Sequence, residues 1–168
     1  MTTPNTSPPA SSTLLDQFYT GWEAYQQMLV KAVAPLTPDQ LALRAAPHMR
    51  TIGELAAHIL GCRAGWFHFV LREGGAEFDE LAEWDIPNAP ARNAAELEEG
   101  LETTWRLLKS CLTRWTPADL DATFTDPDDG QTFTRRWVVW HVLEHDLHHG
   151  GELSLSLGIH HLAGLEDM

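Results

Sequence analysis

The chain has 168 residues, 43% of them hydrophobic, which is enough material for one ordinary globular domain with a real core. Its 24 acidic residues against 11 basic ones give a formal net charge of −13. A surface that negative is repelled by phosphate backbones, which excludes nucleic acid as an expected partner, and no apolar run approaches the ~18 residues of a membrane span.

Residues 1–12, MTTPNTSPPASS, are uncharged and lack the apolar segment of a signal peptide, so they read as a disordered lead-in. Cys62 and Cys111 lie inside helical patterns and form no C-x-x-C pair. They are expected to be free thiols of a cytoplasmic protein.

The domain is expected over residues 13–159, beginning with a helix from Thr13 to Ala34. Leu14, Phe18, Trp22, Tyr25 and Leu29 form its core-facing stripe, Ser12 is the candidate N-cap, and Pro35 ends it. Leu36 to Met49 is irregular, with one helical turn at Thr37-Pro38-Asp39-Gln40. A second helix opens on Thr51-Ile-Gly-Glu54, which has capping-box spacing, and is expected to stop at Gly74-Gly75. Its stripe is Ile52, Leu55, Ile59, Cys62, Trp66 and Phe69, and His58 stands at the edge of that stripe. His48 and His68 read as surface residues.

Gly74 to Arg92 is a long connection with little pattern beyond Glu80 to Trp84. It serves as a crossover and is a candidate wall for a pocket, with Phe78 and Trp84 as lining residues. A third helix runs from Asn93 to Trp115, its inward stripe being Leu97, Leu101, Trp105, Leu108 and Leu112. A short turn at Thr116-Pro117-Ala118-Asp119 and a second at Asp126 to Gly130 lead to a fourth helix, from Thr134 to Leu157. The apolar residues of that helix fall almost all round, as in a helix packed on several sides. Strand-like alternation and internal repeats are absent from the pattern, and residues 160–168 read as a tail. The elements make an all-α four-helix bundle.

The fourth helix carries the chemistry. At 100° per residue, His141, His145 and His149 drift by only ~40° per step, with His148 and Glu152 in the same sector. Side chains four apart stack, and two imidazoles can then reach one ion at ~2.0–2.1 Å. His145 and His149 are the best-placed pair, and His58 is the natural third ligand from a facing helix. Three protein ligands leave a position open for water or substrate, and His141, His148 and Glu152 are near enough to compete as a fourth. The pair with Asp146 after the first histidine also has the outline of the zinc-protease H-E-x-x-H, although the acid is one methylene shorter and the third histidine lies far upstream.

Thr51-Ile-Gly-Glu-Leu-Ala-Ala-His58-Ile and His141-Val-Leu-Glu-His145-Asp-Leu-His-His149-Gly-Gly-Glu-Leu together resemble the DinB/YfiT-like superfamily. Where that family often reads H-x-x-H-H-R-G-Q, this chain has Gly150 for the arginine and Glu152 for the glutamine. The resemblance implies an up-down-down-up bundle in which His58, His145 and His149 bind a divalent metal, zinc or nickel. It further implies a metal-dependent S-transferase that joins a low-molecular-weight thiol of the bacillithiol type to a small-molecule substrate in stress response or detoxification. The alternatives are a metal-dependent hydrolase at the same site and a non-enzymatic, stress-associated metal-binding protein. The resemblance and the abundance of tryptophan are compatible with a homodimer, although seven tryptophans in four amphipathic helices are equally ordinary core material.

Overall fold

The structure, a computed structural model, describes residues 14–127 and 130–165, with side chains from residue 17 onward. The lead-in, the Ser12 cap, the Leu14 side chain and the tip of the 126–130 turn therefore lie outside the described residues. Four long helices form the bundle: α1 (Leu14–Val33), α3 (Ile52–Gly65), α5 (Ala94–Arg114) and α6 (Arg135–Ile159). Two short ones, α2 (Pro38–Leu41) and α4 (Ala76–Ala82), sit in the connections. No helix among the described residues is long and apolar enough to cross a membrane.

Helix starts follow the local chemistry. Thr51 with Glu54, Asn93 with Glu96 and Thr37 with Gln40 each form a reciprocal capping box, and Thr134 caps α6 through the Trp137 amide.

Side-chain pairs give the direction of each long helix. Trp22 reaches Asp146 and Tyr25 reaches Leu147, so α1 and α6 run parallel. Gln26 bonds Leu101 while Trp22 packs on Trp105, so α1 and α5 are antiparallel. His58 meets His149 while Trp66 meets His141, so α3 and α6 are antiparallel as well. The order is up-down-down-up, and the crossover from α3 to α5 must return the chain along the bundle. The core between these helices includes Leu29, Ile52, Ile59, Leu60, Leu97, Leu101, Leu108, Val138, Val142 and Leu153.

Three sequence expectations change. Phe69, which the spacing places in the buried stripe, is 40% exposed, while Phe67 and Val70 are buried. Residues Trp66–Val70 form a π-turn closed by the Leu71 amide on the Trp66 carbonyl, and its extra residue shifts the helical phase by one position. Phe18, placed in the α1 stripe, is 57% exposed. The region after α5 contains a two-stranded antiparallel hairpin, β1 (Thr123–Thr125) and β2 (Thr132–Thr134), pairing Phe124 with Phe133. Two Thr-Phe-Thr triplets are too short to register as alternation along a sequence.

α6 is not enclosed all round either. Trp140, Leu147 and Leu155 lie on an exposed face, whereas Val138, Val142, Asp146, Gly150 and Leu153 face the bundle. The chain beyond α6 turns back on it, with Leu165 buried and its amide bonded to the Ser154 hydroxyl.

The crossover is more ordered than its sequence implied. α4 sends Phe78 and Leu81 into the core. A 3-10 turn, Glu83–Asp85, follows. Trp84 does line a cavity of about 790 Å³, between this turn and the segment from α2 to the start of α3.

Candidate metal centre

α3 and α6 pack face to face with His58 on one and His145 and His149 on the other, so three imidazoles from two helices meet in one place. The Nε2 atoms of His145 and His149 each lie 3.1 Å from that of His58, and the three nitrogens fall within 4.8 Å of one another. Nitrogens held ~2.0–2.1 Å from one ion and subtending ~90–110° lie roughly 2.9–3.4 Å apart, so the spacing fits a single small divalent cation.

The outer edges of two rings decide what the inner edges can do. His58 Nδ1 is 2.6 Å from Asp85 Oδ2, and His149 Nδ1 is 2.7 Å from Glu152 Oε2. A carboxylate accepts only, so each Nδ1 is the donor, and the neutral form of each ring then turns an Nε2 lone pair inward. With both rings neutral, two lone pairs face one another across 3.1 Å. A neutral His145 can donate its Nε2 proton to one of them and leaves the other unmatched, whereas one cation takes all three.

The electrostatics favour the same state. Burial, followed by the charges of His149 and His58, pushes the His145 imidazole down to about 3. Burial also lowers His149, against the opposing pull of its bond to Glu152. Both rings are thus neutral at pH 7, which is the form a metal requires.

Gly150 explains why the pair is followed by glycine. A Cβ there would stand 2.2 Å from the Tyr25 hydroxyl and 2.9 Å from its ring carbons, so the residue lets α1 close against α6 next to His149.

Other histidines take different places. His141 stacks on Trp137, with ring centroids 4.9 Å apart, and packs on Trp66 at the same distance. It lies outside the three-nitrogen group, as the last of a row of aromatic rings beside the centre. His148 is exposed and 3.8 Å from Glu152. Those two, with His149, form a further close group, but Glu152 already takes the outer proton of His149. His48 is exposed, whereas His68 is half-buried and paired with Asp79.

Asp146 removes the protease outline. Its carboxylate is fully buried on the core side of α6, taking bonds from Arg63 Nε and Nη2 and, at 2.6 Å, from the Trp22 indole. A group held there cannot serve as a base for a substrate at the histidines. Arg63 is completed by Gln26 at 2.7 Å and Thr104 at 3.3 Å. Burial raises the Cys62 thiol, and the nearby Asp146 and Asp85 charges raise it further, so it is no ready nucleophile.

Asp85 is not legible in the sequence as a partner of His58. It lies in the crossover, 27 residues from His58, and carries no local signature. Glu152 is visible at helical spacing, where it reads as a competing ligand, and in the structure its carboxylate holds the outer nitrogen of His149.

Comparison with known proteins gives a family and a fold. The family model described as the DinB superfamily matches residues 22–153. A DinB-like protein from Bacillus cereus ATCC 10987 superposes with a TM-score of 0.66 at 18% identity, over 87% of this chain and 92% of that one. YfiT from Bacillus subtilis, described as a probable metal-dependent hydrolase with an unusual four-helix bundle topology, superposes with a TM-score of 0.60 at 19% identity. That match covers 90% of this chain and 93% of YfiT. No curated protein matches the sequence.

Proposed function

The chain belongs to the DinB superfamily, and on that premise we propose that His58, His145 and His149 hold one divalent metal ion, zinc or nickel, at which a low-molecular-weight thiol is activated for transfer to an electrophilic small molecule. One observation carries this reading. Asp85 and Glu152 hold the outer nitrogens of His58 and His149, which turns the inner nitrogens of both rings to a common point beside that of His145, where one cation can accept from all three.

When bound, the ion supplies Lewis acidity that favours the thiolate, the nucleophilic form of a thiol. The three imidazoles would hold the ion through their Nε2 atoms. Asp85 and Glu152 keep the outer protons of two rings in place. Trp66, Trp137 and His141 form an aromatic wall one turn along α6, suited to the apolar part of an organic electrophile. The thiol proton passes to solvent, sulfur bonds to the electrophilic carbon, and the leaving group departs with its electron pair.

A second reading, hydrolysis with water in place of the thiol, uses the same residues. The likeness to YfiT favours it. A homodimer remains part of the proposal, through the exposed face of α6 that carries Trp140, Leu147 and Leu155, with sedimentation velocity as its check.

The deciding experiment incubates metal-loaded protein with a panel of small thiols and an electrophile. Thiol consumption that disappears in His149→Ala, while helical content is kept, supports the transferase. Ester or amide cleavage without any thiol supports the hydrolase. Neither activity, in protein holding one metal ion per chain, leaves a non-enzymatic metal-binding protein. Elemental analysis of protein purified without an affinity tag identifies the ion.

A further inference from the structure

We infer that Asp85, delivered by the α3–α5 crossover and seated against Gly61, is a positioning residue that sets the ring of His58 for the metal, so that the crossover is a working part of the centre. The inference rests on the metal-binding reading above.

The geometry that singles out Asp85 is threefold. Its Oδ2 lies 2.6 Å from His58 Nδ1, with side chains only 29% and 15% exposed, so water competes weakly for either group. It comes from another element, unlike Glu152, which reaches His149 from three residues along the same helix. And α3 makes room for it. A Cβ on Gly61 would stand 2.7 Å from the Asp85 Cβ and 3.5 Å from its amide nitrogen, so any other residue would lift the turn off the helix. Gly61 lies one turn beyond His58 on the same face, so the turn settles there and its carboxylate reaches back to the ring.

α4 secures the turn from the other side, since Phe78 and Leu81 are anchored in the core just ahead of it. The third ligand has no such partner, because His145 Nδ1 is buried without a hydrogen bond. His58 is therefore the ligand whose orientation depends on correct docking of a segment distant in sequence. Without Asp85 the ring is free to flip or to carry its proton on Nε2, and either state withdraws a nitrogen from the ion. Outer partners of this kind are worth ~10–100-fold in metal affinity.

The test is a Co2+ titration of the metal-free full chain against a competing chelator, with the visible d–d spectrum of the bound ion recorded. Asp85→Asn is expected to bind 10–100-fold more weakly and to shift the spectrum. Gly61→Ala, which displaces the turn and leaves the carboxylate present, should weaken binding in the same direction, and Asp85→Glu should recover part of the loss. Asp79→Asn serves as the control, because Asp79 forms a similar pair with His68 away from the centre and should leave affinity unchanged. If wild-type protein binds Co2+ and both Asp85→Asn and Gly61→Ala bind within twofold of it with the same spectrum, the inference falls and the metal reading stands. If wild-type protein binds no ion, both fall. Should Asp85→Asn fail to fold by circular dichroism, Gly61→Ala and Asp85→Glu carry the decision.

Discussion

Replacing Asp146 by alanine should unfold this protein more readily than any single loss at the candidate metal centre. Asp146 and Arg63 are both fully buried, and the carboxylate receives Arg63 Nε at 3.0 Å, Nη2 at 2.8 Å and the Trp22 indole at 2.6 Å. With the carboxylate removed, the guanidinium keeps only the neutral oxygens of Gln26 and Thr104 as partners. Breaking one half of a buried ion pair costs about 3–5 kcal/mol, because the surviving charge has no counter-ion and no water. With a urea m-value of about 2 kcal/mol/M for a domain of this size, the midpoint should fall by about 1.5–2.5 M. Urea titration of the metal-free protein, followed by far-UV circular dichroism and tryptophan fluorescence, measures it. A fall of under about 0.5 M would mean that Arg63 finds water in the folded state, and the assignment of Asp146 to the core would be wrong. Activity lost at unchanged stability would restore Asp146 to the chemistry.

Gly150→Ala should cost about 1–3 kcal/mol, since the added methyl meets the Tyr25 hydroxyl at 2.2 Å, and Tyr25→Ala in the same chain should return part of that loss in urea midpoint. Stability of the metal-free protein should also fall as the medium is acidified. The folded-state pKa of His145 is depressed to about 3, below the ordinary ~6.5 of the unfolded chain, so the unfolded state binds the proton more readily. The contribution of this ring is therefore complete above pH ~6.5 and is lost as pH falls toward the folded value. Denaturation midpoints across that window should show a slope that His145→Gln reduces, and an equal slope in that variant would contradict a buried neutral ring.

The parts of the fold written in local chemistry were legible. Capping boxes at Thr51 and Asn93 placed two helix starts, and three-four spacing marked the stripes of α3 and α5. The histidines that the structure brings together were also visible, because His145 and His149 are one helical turn apart and His58 stands at the edge of a core stripe. What the sequence concealed depends on contacts across the chain. The π-turn at Trp66–Val70 obeys no single-residue signature, so helical spacing points to Phe69 where the core takes Phe67 and Val70. Asp85 looks like any acidic loop residue in a chain with 24 acidic side chains, and only the docking of α4 gives it a histidine to hold. The parallel pairing of α1 with α6 is likewise invisible to periodicity, which reports which face is buried but not against what.

One feature of sequence order ties the core ion pair to the candidate site. His145 and Asp146 are neighbours on α6, ~100° apart around its axis, so the same turn presents an imidazole to the centre and a carboxylate to Arg63. Arg63 stands on α3, the helix that also carries His58, so the ion pair and the three-histidine group span one pair of helices a short distance apart. Rotating a helix by 20° about its axis moves atoms at its outer radius of ~5–6 Å by about 2 Å, ten times the ~0.2 Å tolerance of a metal–ligand distance. Leucine and valine contacts tolerate such a rotation far better than a guanidinium that must meet two carboxylate oxygens. The pair is therefore expected to act on the rotational setting of α3 against α6 more than on net stability. Arg63→Met with Asp146→Leu, which removes both charges, should recover part of the stability that Asp146→Ala loses, because an apolar pair avoids the desolvation of two ions but leaves the Trp22 indole and the Gln26 oxygen without these partners. Metal affinity in that double variant should nonetheless stay below wild type, as measured by the same Co2+ competition. Full recovery of both would show that apolar packing alone sets the angle, and the ion pair would then have no part in holding the three imidazoles together.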